Sequence, residues 1–189
     1  MRIIAGSRRG ATLTKMDAVN TRPTADRVRE SLFNILQGGR FGRLLTNCHV
    51  IDLFAGTGAL GLEAISRGAA FASFIENDDA ALAVLRANIA KLRFQSLAAV
   101  LAVDAVSLVD WRSTPAQLVF ADAPYRSGAG LVAVNTLSRI GALANGAVIV
   151  LETGKTETLD ITDISTSAFT IIEARGYGKT MLHFLSYRA

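Results

Sequence analysis

Residues 119–125 read Val-Phe-Ala-Asp-Ala-Pro-Tyr. An apolar, β-prone run ends there on a carboxylate, a carbonyl held in front of a proline, and an aromatic ring. That set suits an exocyclic base amine. The lone pair of such an amine is delocalised into its ring, so the nitrogen is a weak nucleophile. Asp122 can accept one of its N–H bonds and the carbonyl of Ala123 the other, which turns the nitrogen toward an electrophile. Pro124 has a fixed φ and restrains Ala123 to extended geometry. Tyr125 can stack on an unstacked or flipped base. The same residues also fit an Asp–Pro turn with a packed tyrosine, so the choice rests on what surrounds them.

A second group lies at residues 51–61, Ile-Asp-Leu-Phe-Ala-Gly-Thr-Gly-Ala-Leu-Gly. Gly56, Gly58 and Gly61 match G-x-G-x-x-G, in which glycines permit a tight turn, close approach of backbone to ligand, and close helix–strand packing. Glu76 ends the next apolar run, where an acid can accept hydrogen bonds from both ribose hydroxyls. A dinucleotide would place its pyrophosphate near the helix N-terminus, and Asp52, just before the loop, opposes a phosphate. Asp52 fits a ligand that carries an ammonium or sulfonium group. S-adenosylmethionine has both, with a ribose and an adenine. Phe54, between Asp52 and the glycines, belongs to the same cofactor edge. Asp104 ends a third apolar run. It can accept the adenine amino group, with the Ala105 backbone nearby, or cap a helix that follows; both can hold. Asp52, Glu76, Asp104 and Asp122 thus end four successive apolar runs. A carboxylate is costly to bury unpaired, which makes packing a poor reason for the pattern.

These groups need a frame that gathers them. Apolar, β-prone runs occur at 48–54, 70–75, 97–103, 118–121, 147–151, 169–173 and 180–186, and helical patterns at 59–67, 79–93, 105–111 and 129–141. Alternation of this kind predicts a doubly wound α/β fold with parallel strands covered on both faces. In such a sheet, ligands sit beyond the carboxyl ends of the strands. Only a short turn around 177–178 separates the last two runs, so a hairpin with an antiparallel strand is expected there. Upstream, the stretch RPTADRVRESLFNILQGG, residues 22–39, carries a helical pattern, with Pro23 in its first turn, Thr21 or Thr24 as cap, and Gly38 and Gly39 at its end. Val28, Leu32, Ile35 and Leu36 form its apolar face. Residues 1–20 suggest a small hairpin or extended arm. The chain therefore divides into a basic extension over 1–43 and an α/β domain over 44–189.

Charge follows the same division. Residues 1–43 hold nine Lys and Arg against three Asp and Glu, whereas the remainder holds eleven against thirteen. A basic arm beside a near-neutral body points to a phosphate-bearing partner, or to a solvated charged face. Cys48 is the single cysteine, which excludes an internal disulfide framework and suits a reducing, cytoplasmic setting. His49 and His183 give no metal-ligand spacing, so no metal is expected. An NAD-dependent dehydrogenase and a non-catalytic RNA-binding factor on the same fold are the competing readings.

The stretches DLFAGTGALGLEA, FIE and DAPY, together with MRIIAGSRRG and RPTADRVRESLFNIL near the start, resemble class I S-adenosylmethionine-dependent amino methyltransferases of the RsmD type. The resemblance implies a Rossmann-like seven-strand sheet with an antiparallel last strand, and methyl transfer to the N2 amine of a guanine in 16S rRNA. It implies that Asp122 to Tyr125 receive the guanine and that Arg22, Pro23 and Thr24, with Arg27, line the cofactor and base edge. Arg8, Arg9, Arg27 and Arg126 would contact RNA. The partner would be 16S rRNA or a small-subunit intermediate, met by a monomer. The family pattern carries Pro where Ala123 stands. Adenine N6 is the alternative amine.

Overall fold

The computed structural model describes residues 1–16, 26–38, 40–157, 159 and 168–189. The expected caps at Thr21 and Thr24, and Arg22, Pro23 and Gly39, lie outside the described residues. The first helix is α1, Asp26–Gln37. Strands β1 (His49–Leu53), β2 (Phe71–Glu76), β3 (Ala98–Ala102), β4 (Ala116–Ala121), β5 (Leu143–Gly154), β6 (Phe169–Tyr177) and β7 (Thr180–Tyr187) form one sheet in the order β3-β2-β1-β4-β5-β7-β6. The first five are parallel, and β7 is antiparallel to both β5 and β6. All seven apolar runs read from the sequence are strands, and the reversed hairpin stands where the turn at 177–178 placed it.

Helices α2 (Ala59–Ser66), α3 (Asp79–Leu92) and α4 (Ala129–Arg139) connect the strands. Alternation along the strands explains the layers, because successive side chains point to opposite faces. Val50, Phe74, Leu118 and Phe120 pack with Leu32 and Phe33 of α1, Leu62 of α2 and Leu85 of α3. Ile51, Ile75, Val119 and Ile149 pack on the other side with Ala133, Val134 and Leu137 of α4. Ile3 and Leu13 join the first of these clusters, so the N-terminal segment and the sheet share one core.

Three expectations need correction. The helix read over 105–111 is a single 3-10 turn, Ala105–Ser107. Ala105 and Leu108 are buried while Val109 is 86% exposed, so no continuous apolar face offsets the cost of helix nucleation. The buried stripe of α1 is Arg29, Leu32, Phe33 and Leu36: Leu32 and Leu36 stand as expected, whereas Arg29 and Phe33 take the buried places expected for Val28 and Ile35, which are half-buried. The hairpin expected in the arm is also slight: a single antiparallel bridge, Arg2 to Thr12. The segment is held instead by side chains of the domain. Glu63 accepts from the N–H groups of Ile4 and Ala5 at 2.7 and 3.0 Å. Ser66 accepts from Arg8 N–H and donates to Ala5 O. Asn88 pairs with both backbone groups of Thr14.

Candidate active site

The order of the sheet reverses direction between β1 and β4, which makes their carboxyl ends a topological switch point. A cleft of about 850 Å³ opens there, lined by Asp52, Phe54, Gly56, Glu76, Asp122 and Tyr125 among others. That volume lies in the range of small-molecule sites. The acid of the glycine loop and the acid before the proline, 70 residues apart in the chain, therefore face one cavity.

The turn after β1 explains the glycines. Gly58 caps α2 at φ 79°, and a Cβ there would meet Leu85 Cδ1 at 2.4 Å. A Cβ at Gly61 would lie 2.4 Å from the Phe74 ring and 3.1 Å from Asp52 Oδ2. Both are packing glycines. Gly56 differs: a Cβ there would meet nothing nearer than Phe54 O at 4.0 Å. Its bare backbone borders the cleft, as close approach to a ligand requires.

Asp52 is 2% exposed and accepts a hydrogen bond from Gly61 N–H at 2.8 Å. Burial pushes its carboxyl up to about 8; the Gly61 bond opposes the shift and the charges of Asp122 and Glu76 add to it. An acid buried this way, with no cationic partner among the described residues, favours a cation placed beside it. Glu76 accepts from Gly56 N–H at 2.7 Å and from the N–H groups of Asn77 and Asp78 at 2.9 Å. A carboxylate has about four acceptor sites, and three of them fix this side chain at the end of β2. The acid read as a ribose partner is thus also the brace of the glycine turn.

At the end of β4, Ala123 is buried and Tyr125 is 37% exposed. The Tyr125 hydroxyl donates to Glu152 Oε1 at 2.8 Å and lies 2.9 Å from Thr180 Oγ1. Burial, offset by the Thr180 contact and reinforced by Glu152, pushes its pKa up to about 12, so it stays a neutral ring pinned at its far end. Pro124 O accepts from Ser127 Oγ at 2.6 Å, which closes the turn that carries Arg126.

Other residues stand elsewhere. Asp104 Oδ1 accepts from Val106 N–H at 3.1 Å, the capping role foreseen for it, and Asp104 and Ala105 lie on the same sheet edge outside the cleft lining. Arg9 and Arg27 line a separate groove with Arg2, Asp26 and Glu30. Arg8 donates from Nε to Leu92 O at 2.8 Å and packs over Phe94, so part of it serves the fold. Arg22 and Thr24 lie outside the described residues.

Glu152 and Arg29 are among the cleft residues that the sequence reading passed over. Glu152 follows the apolar run of β5 as the other acids follow theirs, so the same signal marks it. Arg29 is a charged residue at the head of an i, i+3, i+4, i+7 apolar stripe, and that misfit was its mark. Among the described residues no group of three or more His, Cys, Asp or Glu is placed to hold a metal. No described helix is long and apolar enough to cross a membrane.

Comparison with known proteins gives a consistent picture. Residues 1–186 match the family model described as Conserved hypothetical protein 95. Ribosomal RNA small subunit methyltransferase D of Escherichia coli K12 is 42% identical over 152 residues, 80% of this chain and 74% of that one. The protein of the same description from Haemophilus influenzae is 34% identical over 164 residues, 84% of this chain and 81% of that one. Among solved structures, the yhhF protein of Escherichia coli superposes with a TM-score of 0.81 at 34% identity, covering 100% of this chain and 98% of that one.

Proposed function

The chain belongs to the Conserved hypothetical protein 95 family, the RsmD family, and we infer that it is an rRNA methyltransferase that moves a methyl group from S-adenosylmethionine to the N2 amine of a guanine in 16S rRNA. One observation carries this reading. Asp52, Gly56 and Glu76, suited to the donor, and Asp122 to Tyr125, suited to the base, line a single cleft at the switch point.

The residues fit the donor. Asp52 is a buried acid awaiting a cation, Gly56 leaves its backbone open, and Glu76 keeps one acceptor site for a ribose hydroxyl. Phe54 walls the same end, and Asp104 with the Ala105 N–H lies further along the edge for the adenine. When bound, the donor supplies an electrophilic methyl carbon on a sulfonium sulfur.

The protein's own part is positioning and charge. Tyr125, held at its hydroxyl by Glu152 and Thr180, presents its ring to the flipped guanine. Asp122 Oδ and Ala123 O accept the two N2 hydrogens, which aims the nitrogen lone pair at the methyl carbon. In the displacement the new N–C bond would replace the bond from that carbon to sulfur, the sulfonium leaving as a neutral thioether; the amine would become cationic, and Asp122 Oδ would take the proton it already holds by hydrogen bond. Arg9, Arg27 and Arg126, with the part of Arg8 not spent on Leu92 and Phe94, bind RNA phosphates.

Small subunits from cells lacking this activity, incubated with the protein and methyl-labelled donor, should gain label on guanine N2. Label on adenine N6 would redirect the proposal to another amine, and no transfer to rRNA would end it.

A further inference from the structure

We propose that Arg29 is the binding site for the carboxylate at the amino-acid end of the methyl donor; this rests on the donor assigned above.

Arg29 is 1% exposed, yet it lines the same cleft as Asp52 and Gly56. One of its nitrogens is accounted for. Nη2 donates to Arg2 O at 2.5 Å and to Asp26 Oδ1 at 3.1 Å. Nε and Nη1 are buried and have no hydrogen-bond partner among the described residues. Buried polar groups in native proteins are almost always paired, and a guanidinium is among the costliest to leave short. Two orphan donors on one buried cation therefore describe a site that an acceptor completes.

The cleft says which acceptor. Its other charged walls are mostly acidic: Asp52, Glu76, Asp78, Asp122 and Glu152. A phosphate-bearing ligand would meet that array on most sides. A ligand with one carboxylate and a nearby cation matches it, the cation toward Asp52 and the carboxylate toward Arg29. Charge-assisted hydrogen bonds from a guanidinium to a carboxylate are the strong kind, and a guanidinium keeps its charge when buried. Burial lowers the Arg29 pKa from its ordinary range, and Asp26 and Glu63 act against that fall.

The placement has a reason in the helix. Arg29 heads the stripe that continues with Leu32, Phe33 and Leu36, so the packing of α1 on the sheet carries the guanidinium inward. Arg27, on the same helix, faces the outer groove. One helix thus meets the donor on its inner side and solvent on its outer side.

The test compares two ligands by titration calorimetry: S-adenosylhomocysteine, which has the amino-acid end, and 5′-methylthioadenosine, which lacks it. Arg29→Met should weaken S-adenosylhomocysteine by about tenfold or more and change 5′-methylthioadenosine less than about twofold, with Arg29→Lys recovering part of the loss. Equal loss for both ligands, or none for either, overturns the proposal. Should Arg29→Met fail to fold, the wild-type protein still decides. It should prefer S-adenosylhomocysteine over its carboxamide analogue by a similar factor, and equal affinity refutes the carboxylate site. Wild-type protein that binds none of these ligands removes the donor assignment itself, whereas binding all of them alike removes only Arg29's part.

Discussion

Replacing Asp122 with Asn keeps the shape of the β4 exit and removes one charge. If Asp122 accepts an N–H of the base and then its proton, Asp122→Asn should lower kcat by about 100-fold while donor affinity stays within about twofold; single-turnover rates with labelled donor, beside calorimetry, separate the two. Asp52 makes a different prediction, because its carboxyl titrates near neutrality. Its pKa is raised from 3.8 in the unfolded chain to about 8. A raised acid stabilises the fold where it is protonated, so its contribution is full below 3.8 and declines as pH rises toward 8. A cation beside it lowers that pKa again. Donor binding at pH 7 should therefore release a proton, seen as a dependence of binding heat on the ionisation heat of the buffer, and Asp52→Asn should abolish that release. These acids were legible because each ends an apolar run, where a carboxylate has no packing role. Arg29 was hidden among them because its charge sits on a face that helical spacing assigns to the core, and only the fold shows that two of its donor nitrogens lack a partner among the described residues.

At the scale of elements, the seven strands and the helices α2 to α4 follow from short apolar runs and glycine turns, since local pattern and sheet burial agree there. The N-terminal segment does not read this way, because its order comes from distant side chains. Glu63, fully buried, accepts from Ile4, Ala5 and the Arg67 Nε, the last at 2.6 Å. Asn88, also fully buried, ties Thr14 to Thr57 O in the glycine loop. No spacing in residues 1–16 announces partners at 63 and 88. The consequence is testable: Glu63→Ala strands a buried guanidinium and two backbone donors, which should cost about 3–5 kcal/mol in a denaturant melt. Hydrogen exchange should then show the amides of Ile4 and Ala5 losing protection before those of β1 and β2. Equal loss across the sheet would mean that Glu63 supports the whole core rather than the segment.

The molecule as a whole sets the terms on which RNA is met. Its net charge is only +4, but nine of its twenty Lys and Arg lie in residues 1–43, and the structure docks the described part of that segment against α2 and α3 beside the cleft. Arg27 and Arg9 share a groove on the outer side of α1, and Arg126 is exposed on the turn that leads out of the candidate base site. A backbone track of this kind binds through counterion release, so affinity falls with salt by a log–log slope of about 0.7 per phosphate of single-stranded RNA. Replacing Arg9, Arg27 and Arg126 together with Gln should reduce the slope by about 2 and weaken rRNA binding at moderate salt, while S-adenosylhomocysteine affinity stays unchanged. Filter binding over a salt series measures both the slope and the intercept. An unchanged slope would place the RNA track elsewhere on the surface. Arg8→Gln serves as the contrast: with its Nε on Leu92 O and its plane over Phe94, it should lower the melting temperature more than it lowers the slope, because that arginine is held by the fold before RNA arrives.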